Sequence, residues 1–325
     1  MKVPIVLFNF LDYWTHPLVN KYLNGKGNEF EGILVLMPKG KNVWLSHPFN
    51  FTQAKTEFGK KLSVKKMGKG TLAKVIGAKR KVGYDGKFCT INQLKTLRVS
   101  LKGKQLIDAS KEISQAKEIK SVEEIKKIKK AACETKKVLV KVRKKLKTGI
   151  SEIEVEKFIR NEFEKDGYQT AFCIVSFGAN TKNIHHVNGK KKLSEGPVLI
   201  DVGAKWKGYS ADITESYWFG KKKDADYVRE HKFVGDKLEI IENHLKEGVA
   251  AKDLWKLCKG LNMDFFLGHG IGVEVHDSPS RLGPKSNWKL AKGMVLAIEP
   301  ATYTKRFGIR IERDYLITKN GFKKL

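Results

Sequence analysis

Two aspartates eleven residues apart, Asp201 and Asp212, lie within a segment that has the pattern of a β-hairpin. An apolar run leads into Asp201, the residues Lys205–Gly208 interrupt it, and a second run carries Asp212, which predicts two strands joined by a short turn. A turn centred between Trp206 and Lys207 would set the two carboxylates directly opposite each other, with Cβ atoms about 5 Å apart. Carboxylates that close repel and raise each other's pKa, so they need a shared proton or cations between them. Divalent metal ions are the better explanation because they prefer hard oxygen ligands.

A second pair of acids has the same arrangement near the C-terminus. Glu299 ends an apolar run and Glu312 lies within the next, so a hairpin that turns at Lys305-Arg306 would set these acids face to face. Between the two pairs, His269 stands between two glycines, and His276 follows at the end of an alternating run that we expect to be one strand segment. Taken singly, each residue is better explained as a turn, surface or core residue than as a ligand. Together, four acids and a histidine form a plausible metal-binding set.

The order of these motifs resembles a known family of enzymes. DVGAKWKGYSADIT, GHGIG, IEP and GIRIE follow one another as they do in the pita-bread metallopeptidases, which include methionine aminopeptidase, aminopeptidase P and prolidase. The resemblance covers about residues 121–325, and the preceding part is similar to the smaller N-terminal domain of the Xaa-Pro branch. It implies an α+β fold in which a pita-bread catalytic domain, made of two pseudo-symmetric halves of helices and antiparallel strands, follows an α/β domain.

The resemblance also implies a site with two metal ions. Its ligands would be Asp201, Asp212, His269, Glu299 and Glu312. By resemblance, Asp212 and Glu312 would bridge the metals, Asp201 would complete one coordination shell, and His269 with Glu299 would complete the other. Glu299 is the implied general base.

Three further residues are candidates near the site, His276 from its place after His269 on the expected strand segment and His185 and Arg310 from matching family positions. His276 would donate to the substrate carbonyl or to the tetrahedral intermediate. His185, in the segment FGANTKNIHH, would contact substrate, whereas its neighbour His186 would not. Arg310, two residues before Glu312, would orient substrate, with a structural ion pair as its alternative role.

Departures from the family pattern leave the substrate preference open. Glu215 stands where an arginine is common, Arg313 stands where an acid is common, and Ala301 replaces a glycine. Because Glu215 and Arg313 have opposite signs and both adjoin metal-bearing strands, we expect them to compensate each other.

Local signals place the helices of the larger domain. Ser121 and Glu124, and again Ser151 and Glu154, form the Ser-x-x-Glu pattern of a capping box. The expected helices run from Ser121 to Gly149, from Ser151 to Gly167, over about 225–245 and over about 251–257.

Residues 1–115 have the pattern of a small α/β domain, and the resemblance implies that it is a creatinase-like domain preceding a catalytic domain at 116–325. We expect a hairpin around Lys39-Gly40 and a strand before a helix at 90–101. His16 and His47 each precede a proline, which favours turn or interface residues over catalysts.

Composition restricts the cellular setting. The chain has 325 residues, 41% of them hydrophobic, and no apolar run approaches the ~20 residues needed to cross a membrane. Asp12 and Trp14 interrupt the N-terminal apolar run, which favours a strand over a signal peptide. The four cysteines lack paired spacings, so neither a disulfide scaffold nor a zinc ribbon is expected. These features predict a cytoplasmic protein with no membrane partner.

The net charge of +29 would attract polyanions. The excess is mostly lysine spread along the chain, whereas nucleic-acid sites more often concentrate arginine and aromatic residues in one region. A solvated lysine-rich surface is therefore favoured over nucleic-acid binding.

The resemblance implies an exopeptidase that hydrolyses Xaa-Pro bonds in peptides or dipeptides. The N-terminal domain favours the Xaa-Pro branch, but the choice between aminopeptidase P and prolidase stays open. We expect two manganese ions, with cobalt, zinc or iron as alternatives because the ligands accept all of them, and the resemblance implies a homodimer. The rival hypotheses are an inactive protein of the same fold that binds nucleic acid or ribosomes, and a metal-free creatinase-like enzyme, which would have no use for the two acid pairs.

Overall fold

The computed structural model describes residues 2–10, 15–263 and 266–325. The chain divides into two compact units, Met1–Ala116 and Lys117–Leu325. Asp12 and Trp14, which shaped the expectation for the N-terminus, lie outside the described residues, but the strand expected there is present as β1 (Ile5–Asn9). No helix in these ranges is long and apolar enough to span a bilayer.

The N-terminal unit is built on a six-stranded mixed sheet in the order β4-β3-β2-β1-β5-β6. Its strands are β1, β2 (Gly32–Leu36), β3 (Val43–Ser46), β4 (Ser63–Lys66), β5 (Lys81–Tyr84) and β6 (Gln105–Asp108). Its helices are α1 (Pro17–Tyr22), α2 (Phe51–Phe58), α3 (Thr71–Ile76), α4 (Ile91–Ser100) and α5 (Ser110–Glu118), the last crossing the boundary. Alternate residues of β1 enter two separate apolar clusters, so both faces of the sheet are covered. The expected β2–β3 hairpin and the helix after β5 are confirmed.

Both N-terminal histidines cap short helical turns, as expected for turn residues. Nδ1 of His16 accepts from the amide of Leu18, and Nε2 lies 3.2 Å from Oδ2 of buried Asp85. Nδ1 of His47 accepts from the amide of Phe49. Each ring is thus used by the local fold.

The larger unit begins with two helices, continues into a sheet, and then repeats this order. Its helices are α6 (Val122–Lys145), α7 (Glu152–Lys165), α8 (Ala225–Glu242) and α9 (Ala251–Lys256). The strands of its first half are β7 (Gln169–Phe177), β8 (Gly196–Trp206), β9 (Tyr209–Ser210) and β10 (Ile213–Phe219). Those of the second half are β11 (Gly268–Gly270), β12 (Asp277–Leu282), β13 (Val295–Ile298), β14 (Ala301–Tyr303), β15 (Gly308–Arg310), β16 (Arg313–Ile317) and β17 (Phe322–Lys324).

Sequence signals set the helix starts, and all four expected helices are present. Ser121 and Ser151 each form a complete capping box at the start of α6 and α7, which satisfies orphan amides of the first turn. Gly167, with φ of +76°, follows the end of α7, as expected. α6 stops at Lys145 because Leu146 is extended, short of the expected Gly149.

Each half packs helices on an antiparallel sheet. In the first, α6 and α7 cover β7, β8 and β10 around one apolar cluster. In the second, α8 and α9 pack against the sheet β12-β11-β13-β16-β17 around another. The hairpin β14–β15 forms a separate two-stranded sheet, and the acids lie where these sheets meet.

Candidate metal centre

The first acidic hairpin turns one residue later than expected. Lys207 and Gly208 have φ of +47° and +83°, as a two-residue turn between right-twisted strands requires. Asp201 consequently pairs with Thr214, and the expectation that it lies directly opposite Asp212 is wrong. The pairing has moved by two residues, and because side chains alternate with a period of two, both acids stay on the same face.

The second acidic hairpin has the expected turn at Lys305-Arg306. β14 and β15 pair Tyr303 with Gly308, and β13 and β16 continue in the same register, which sets Glu299 opposite Glu312. The ladder is interrupted at this point. The amide of Glu299 donates to the carbonyl of Leu267 and that of Glu312 donates to the carbonyl of Thr214. The second bond joins the two acidic hairpins and brings their carboxylates together.

The five residues expected to bind metal lie in one cluster. Candidate ligand atoms of Asp201, Asp212 and Glu312 lie within 4.8 Å of one another, as do those of His269, Glu299 and Glu312. Nε2 of His269 is 3.5 Å from Asp212, 3.8 Å from Glu299 and 4.0 Å from Glu312. The structure therefore brings together all five residues from three separate chain segments, namely the two acidic hairpins and β11.

Two carboxylate oxygens in this cluster are buried without a hydrogen-bond partner among the described residues, Oδ1 of Asp201 and Oδ1 of Asp212. A buried, unsatisfied acceptor costs roughly 1–3 kcal/mol, and more when it is charged. Hard cations bind such oxygens. The residues present therefore fit divalent metal ions.

Crowding and burial shift the protonation of the site. Burial, and next Glu312, raise the pKa of both Asp212 and Glu299 well above the usual carboxyl range. Burial, then Asp201, raise the pKa of Glu312 to about 7. Burial, then His276, lower the pKa of His269 to about 4. At neutral pH this imidazole is uncharged, as a metal ligand must be.

The orientation of His269 also suits a ligand. Its Nδ1 lies 3.0 Å from the carbonyl oxygen of Gly270, so Nδ1 carries the proton and the lone pair of Nε2 faces the acids. A hydrogen bond on the distal ring nitrogen is the usual support of a metal-bound histidine.

Arg310 is buried against the acids and forms an ion pair. Its Nη2 donates to Oδ2 of Asp201, while Nη1 donates to the hydroxyl of Tyr303 at 2.7 Å and Nε to that of Thr214 at 3.1 Å. Because protein acceptors surround the guanidinium, the surroundings favour the structural ion pair over a direct contact with substrate.

Sequence reasoning missed Tyr303 and Asp314. Asp314 is buried, and its Oδ2 accepts from the amide of Asp212 at 3.1 Å, which fixes the backbone of a candidate ligand. The usable signal was the spacing of two residues from Glu312, which places both acids on one strand face.

His276 lies beside the cluster, but not on the strand expected to carry it. It ends a turn between β11 and β12, and its ring centroid is 4.2 Å from that of His269. Asp277 makes the turn by accepting from the amides of Val273 and Ser278. The chain reverses there because the Asp277 carboxylate satisfies the amides that a strand would have paired.

The two adjacent histidines have different surroundings. His185 is exposed and follows Ile184, whose carbonyl lies 3.5 Å from Nη1 of Arg310, so His185 borders the site. Burial, and next His185, lower the pKa of His276. Nε2 of His186 lies 2.8 Å from buried Glu152 instead.

The expected compensation between Glu215 and Arg313 is wrong. Glu215 accepts from Nε of Arg143 at 2.9 Å, because α6 packs against β10. Arg313 donates to the carbonyls of Thr214 and Glu312. Its positive charge thus stabilises the backbone next to the acids.

Comparisons with known proteins agree with this architecture. The chain is 37% identical to an uncharacterized peptidase of Methanocaldococcus jannaschii over 162 residues, which cover 47% of this chain and about half (46%) of that relative. An X-Pro aminopeptidase from Thermotoga maritima superimposes with a TM-score of 0.89 at 23% identity, covering 99% of this chain and 94% of the other. A prolidase from Pyrococcus furiosus gives a TM-score of 0.86 at 25% identity, covering 99% and 95%.

These likenesses confirm the predicted pita-bread fold with a smaller N-terminal domain. The model of metallopeptidase family M24 matches residues 126–319, which is more than half of the chain and includes all five clustered residues. The chain belongs to metallopeptidase family M24.

Proposed function

We propose that the protein is a metal-dependent exopeptidase that hydrolyses the Xaa-Pro bond of peptides or dipeptides. The observation that carries the proposal is the convergence of four carboxylates and one neutral imidazole, with buried oxygens left unsatisfied. Similarity to an X-Pro aminopeptidase and a prolidase supports the Xaa-Pro preference. The comparisons lend no support to an inactive nucleic-acid-binding protein.

The proposed metal ligands are those expected from the sequence. Asp212 and Glu312 would bridge two cations, Asp201 would complete the shell of one, and His269 with Glu299 that of the other. Bound divalent ions supply an acidified water and a polarised scissile carbonyl. We propose manganese, with cobalt, zinc or iron as alternatives.

Glu299 is the proposed general base. Its side chain is 16% exposed, compared with 3% for Glu312 and 5% for Asp212, so it is more open to a substrate than these two acids.

His276 and His185 are the proposed substrate contacts. Both are exposed, and a ring nitrogen of His276 lies within 4.8 Å of candidate ligand atoms of Asp212 and His269. We propose that His276 donates to the scissile carbonyl and that His185 binds the substrate nearby. Arg310 would act on substrate only through Asp201.

Three wider features complete the proposal. Residues 1–115 would be the N-terminal domain and 116–325 the catalytic domain, a homodimer would be the working form, and the cytoplasm its location. Light scattering of the purified protein tests the dimer, and a single-chain mass would contradict it.

The test combines elemental analysis with a peptide panel. Purified protein supplied with Mn²⁺, Co²⁺ or Zn²⁺ should bind metal and cleave Xaa-Pro and Xaa-Pro-Xaa peptides. Glu299→Gln should lower kcat by at least ~10²-fold, the scale of general-base catalysis, while the exposed Glu239→Gln should not. Bound metal without turnover on any peptide would reject the proposal.

A further inference from the structure

Glu152 is not one of the five candidate metal ligands, yet it binds a segment that borders them. We propose that Glu152 is a positioning residue whose buried carboxylate fixes residues 178–189, called loop 178–189 below, and thereby sets His185 at the site. The inference rests on the proposed function, in which His185 contacts substrate.

The Glu152 carboxylate accepts four hydrogen bonds, two on each oxygen. Oε1 accepts from the amide of Phe177 at 2.9 Å and from Nδ2 of Asn180 at 2.8 Å. Oε2 accepts from the amide of Gly189 at 3.0 Å and from Nε2 of His186 at 2.8 Å. The donors come from both ends and the middle of the loop, so one side chain holds the segment at four points.

Burial separates Glu152 from an ordinary helix-start acid. It is the first residue of α7, where acids are common on the surface because the helix dipole favours them. Glu152 is 0% exposed. A buried carboxylate is costly unless donors converge on it, and here all of its side-chain donors come from the loop or the residue before it. The loop and Glu152 therefore depend on each other.

The other side of loop 178–189 makes contacts next to the candidate metal ligands. The carbonyl of Ile184 lies 3.5 Å from Nη1 of Arg310, whose Nη2 pairs with Asp201. Thr181 accepts from the amide of Gly308, and a Cβ at Gly308 would lie only 2.2 Å from the carbonyl oxygen of Thr181. The loop thus connects α7 to the β14–β15 hairpin with little freedom.

The adjacent residues His185 and His186 face different surroundings. His186 turns inward to Glu152, whereas His185 is exposed and directly follows Ile184, whose carbonyl lies 3.5 Å from Nη1 of Arg310. Because the two histidines are chain neighbours, a change at Glu152 moves His185 without touching any candidate metal ligand.

Glu152→Gln is the informative variant. Glutamine has the same shape, but an NH₂ group replaces one of the two carboxylate oxygens. That group cannot accept a hydrogen bond from the two donors it faces, one of which is a backbone amide, so at least one backbone amide loses its acceptor. We expect KM for Xaa-Pro peptides to rise about tenfold or more, since small misplacements in a site cost up to ~10²-fold, with metal content unchanged. Glu164→Gln, an exposed change on the same helix, is the matched control and should leave KM unchanged.

A double-mutant cycle tests whether Glu152 acts through His185. His185→Ala alone should raise KM, and adding Glu152→Gln to it should have little further effect, because residues that act as a unit are not additive. The same fold-change in both backgrounds would overturn the inference.

A second measurement does not depend on catalysis. Hydrogen exchange at the amides of Phe177 and Gly189 should quicken about tenfold or more in Glu152→Gln, while the amides of β8 keep their protection. Unchanged exchange at both amides would overturn the inference. Absence of Xaa-Pro hydrolysis by the unmodified protein would instead reject the proposed function, and the exchange result would still decide the role of Glu152.

His186 offers a milder variant if Glu152→Gln does not fold. His186→Gln keeps a donor that reaches Glu152 and should retain most of the affinity for substrate, whereas His186→Ala removes it and should raise KM. Equal KM values for the two variants would contradict the inference.

Discussion

Replacing Glu312 with glutamine should stabilise the metal-free protein and at the same time weaken its response to metal. Glu312 is buried beside Asp201, and these surroundings raise its pKa from 4.5 to about 7. Glutamine keeps the shape and an oxygen for the hydroxyl of Thr214, which donates to Glu312 at 2.6 Å. The substitution removes the negative charge that burial and Asp201 destabilise in the folded protein.

The size of the effect follows from proton linkage. Between pH 4.5 and 7 the folded, metal-free protein holds a proton on Glu312 that the unfolded chain has released. The free energy of unfolding therefore falls as the pH rises through this window. At ~1.4 kcal/mol per pH unit, the loss is about 3 kcal/mol at pH 8. The Glu312→Gln variant does not suffer this loss. It should therefore melt about 6–12 °C above the unmodified protein at pH 8 and close to it at pH 4.

The assay is thermal unfolding in EDTA and in Mn²⁺, followed by circular dichroism at pH 4 and pH 8. Metal at a hundredfold excess over Kd should stabilise the unmodified protein by about 2.7 kcal/mol and the variant much less. In Mn²⁺ at pH 8, the lead of the variant in melting temperature should therefore shrink or be reversed. The exposed Glu239→Gln should match the unmodified protein throughout. A Glu312→Gln protein that is less stable in EDTA at pH 8, or equally stabilised by Mn²⁺, would refute the reasoning.

Three further substitutions test the scaffold around the site by urea unfolding. Gly272→Ala should cost about 1–3 kcal/mol, because a Cβ there would lie 2.2 Å from Oδ2 of Asp277; an unchanged midpoint would contradict this. Lys117→Met should cost about 3–5 kcal/mol, since Lys117 is nearly buried and pairs with Asp277 at 2.8 Å; a loss below 1 kcal/mol would mean that the pair is solvated. Arg143→Ala should cost under ~1 kcal/mol, because the Arg143 side chain, paired with Glu215, is 53% exposed; a larger loss would show that its packing matters more than its charge.

Features set by neighbouring residues could be predicted from the sequence. The capping boxes at Ser121 and Ser151 fixed the starts of two helices, and the turn at Lys305-Arg306 fixed the register that sets Glu299 opposite Glu312. The first hairpin was harder, because the four residues Lys205–Gly208 allow more than one turn. The deciding factor was the pair of left-handed backbone conformations at its last two residues.

Contacts between distant parts of the chain could not be predicted this way. Arg310 and Asp201 are 109 residues apart in the chain, and Asp314 and Asp212 are 102 apart. Glu152 had the local pattern of a surface acid at a helix start, yet it is fully buried. Such contacts depend on how the two halves pack against each other, and the periodic pattern of apolar residues does not predict them.

The hydrogen bond from the amide of Glu312 to the carbonyl of Thr214 makes the two halves of the larger unit interdependent. A fragment that ended after β10 would retain Asp201 and Asp212 alone, two repelling groups with too few neighbours to hold an ion. Cation uptake would then report the docking of one half onto the other. Separately produced halves should gain manganese affinity only to the extent that they reassociate.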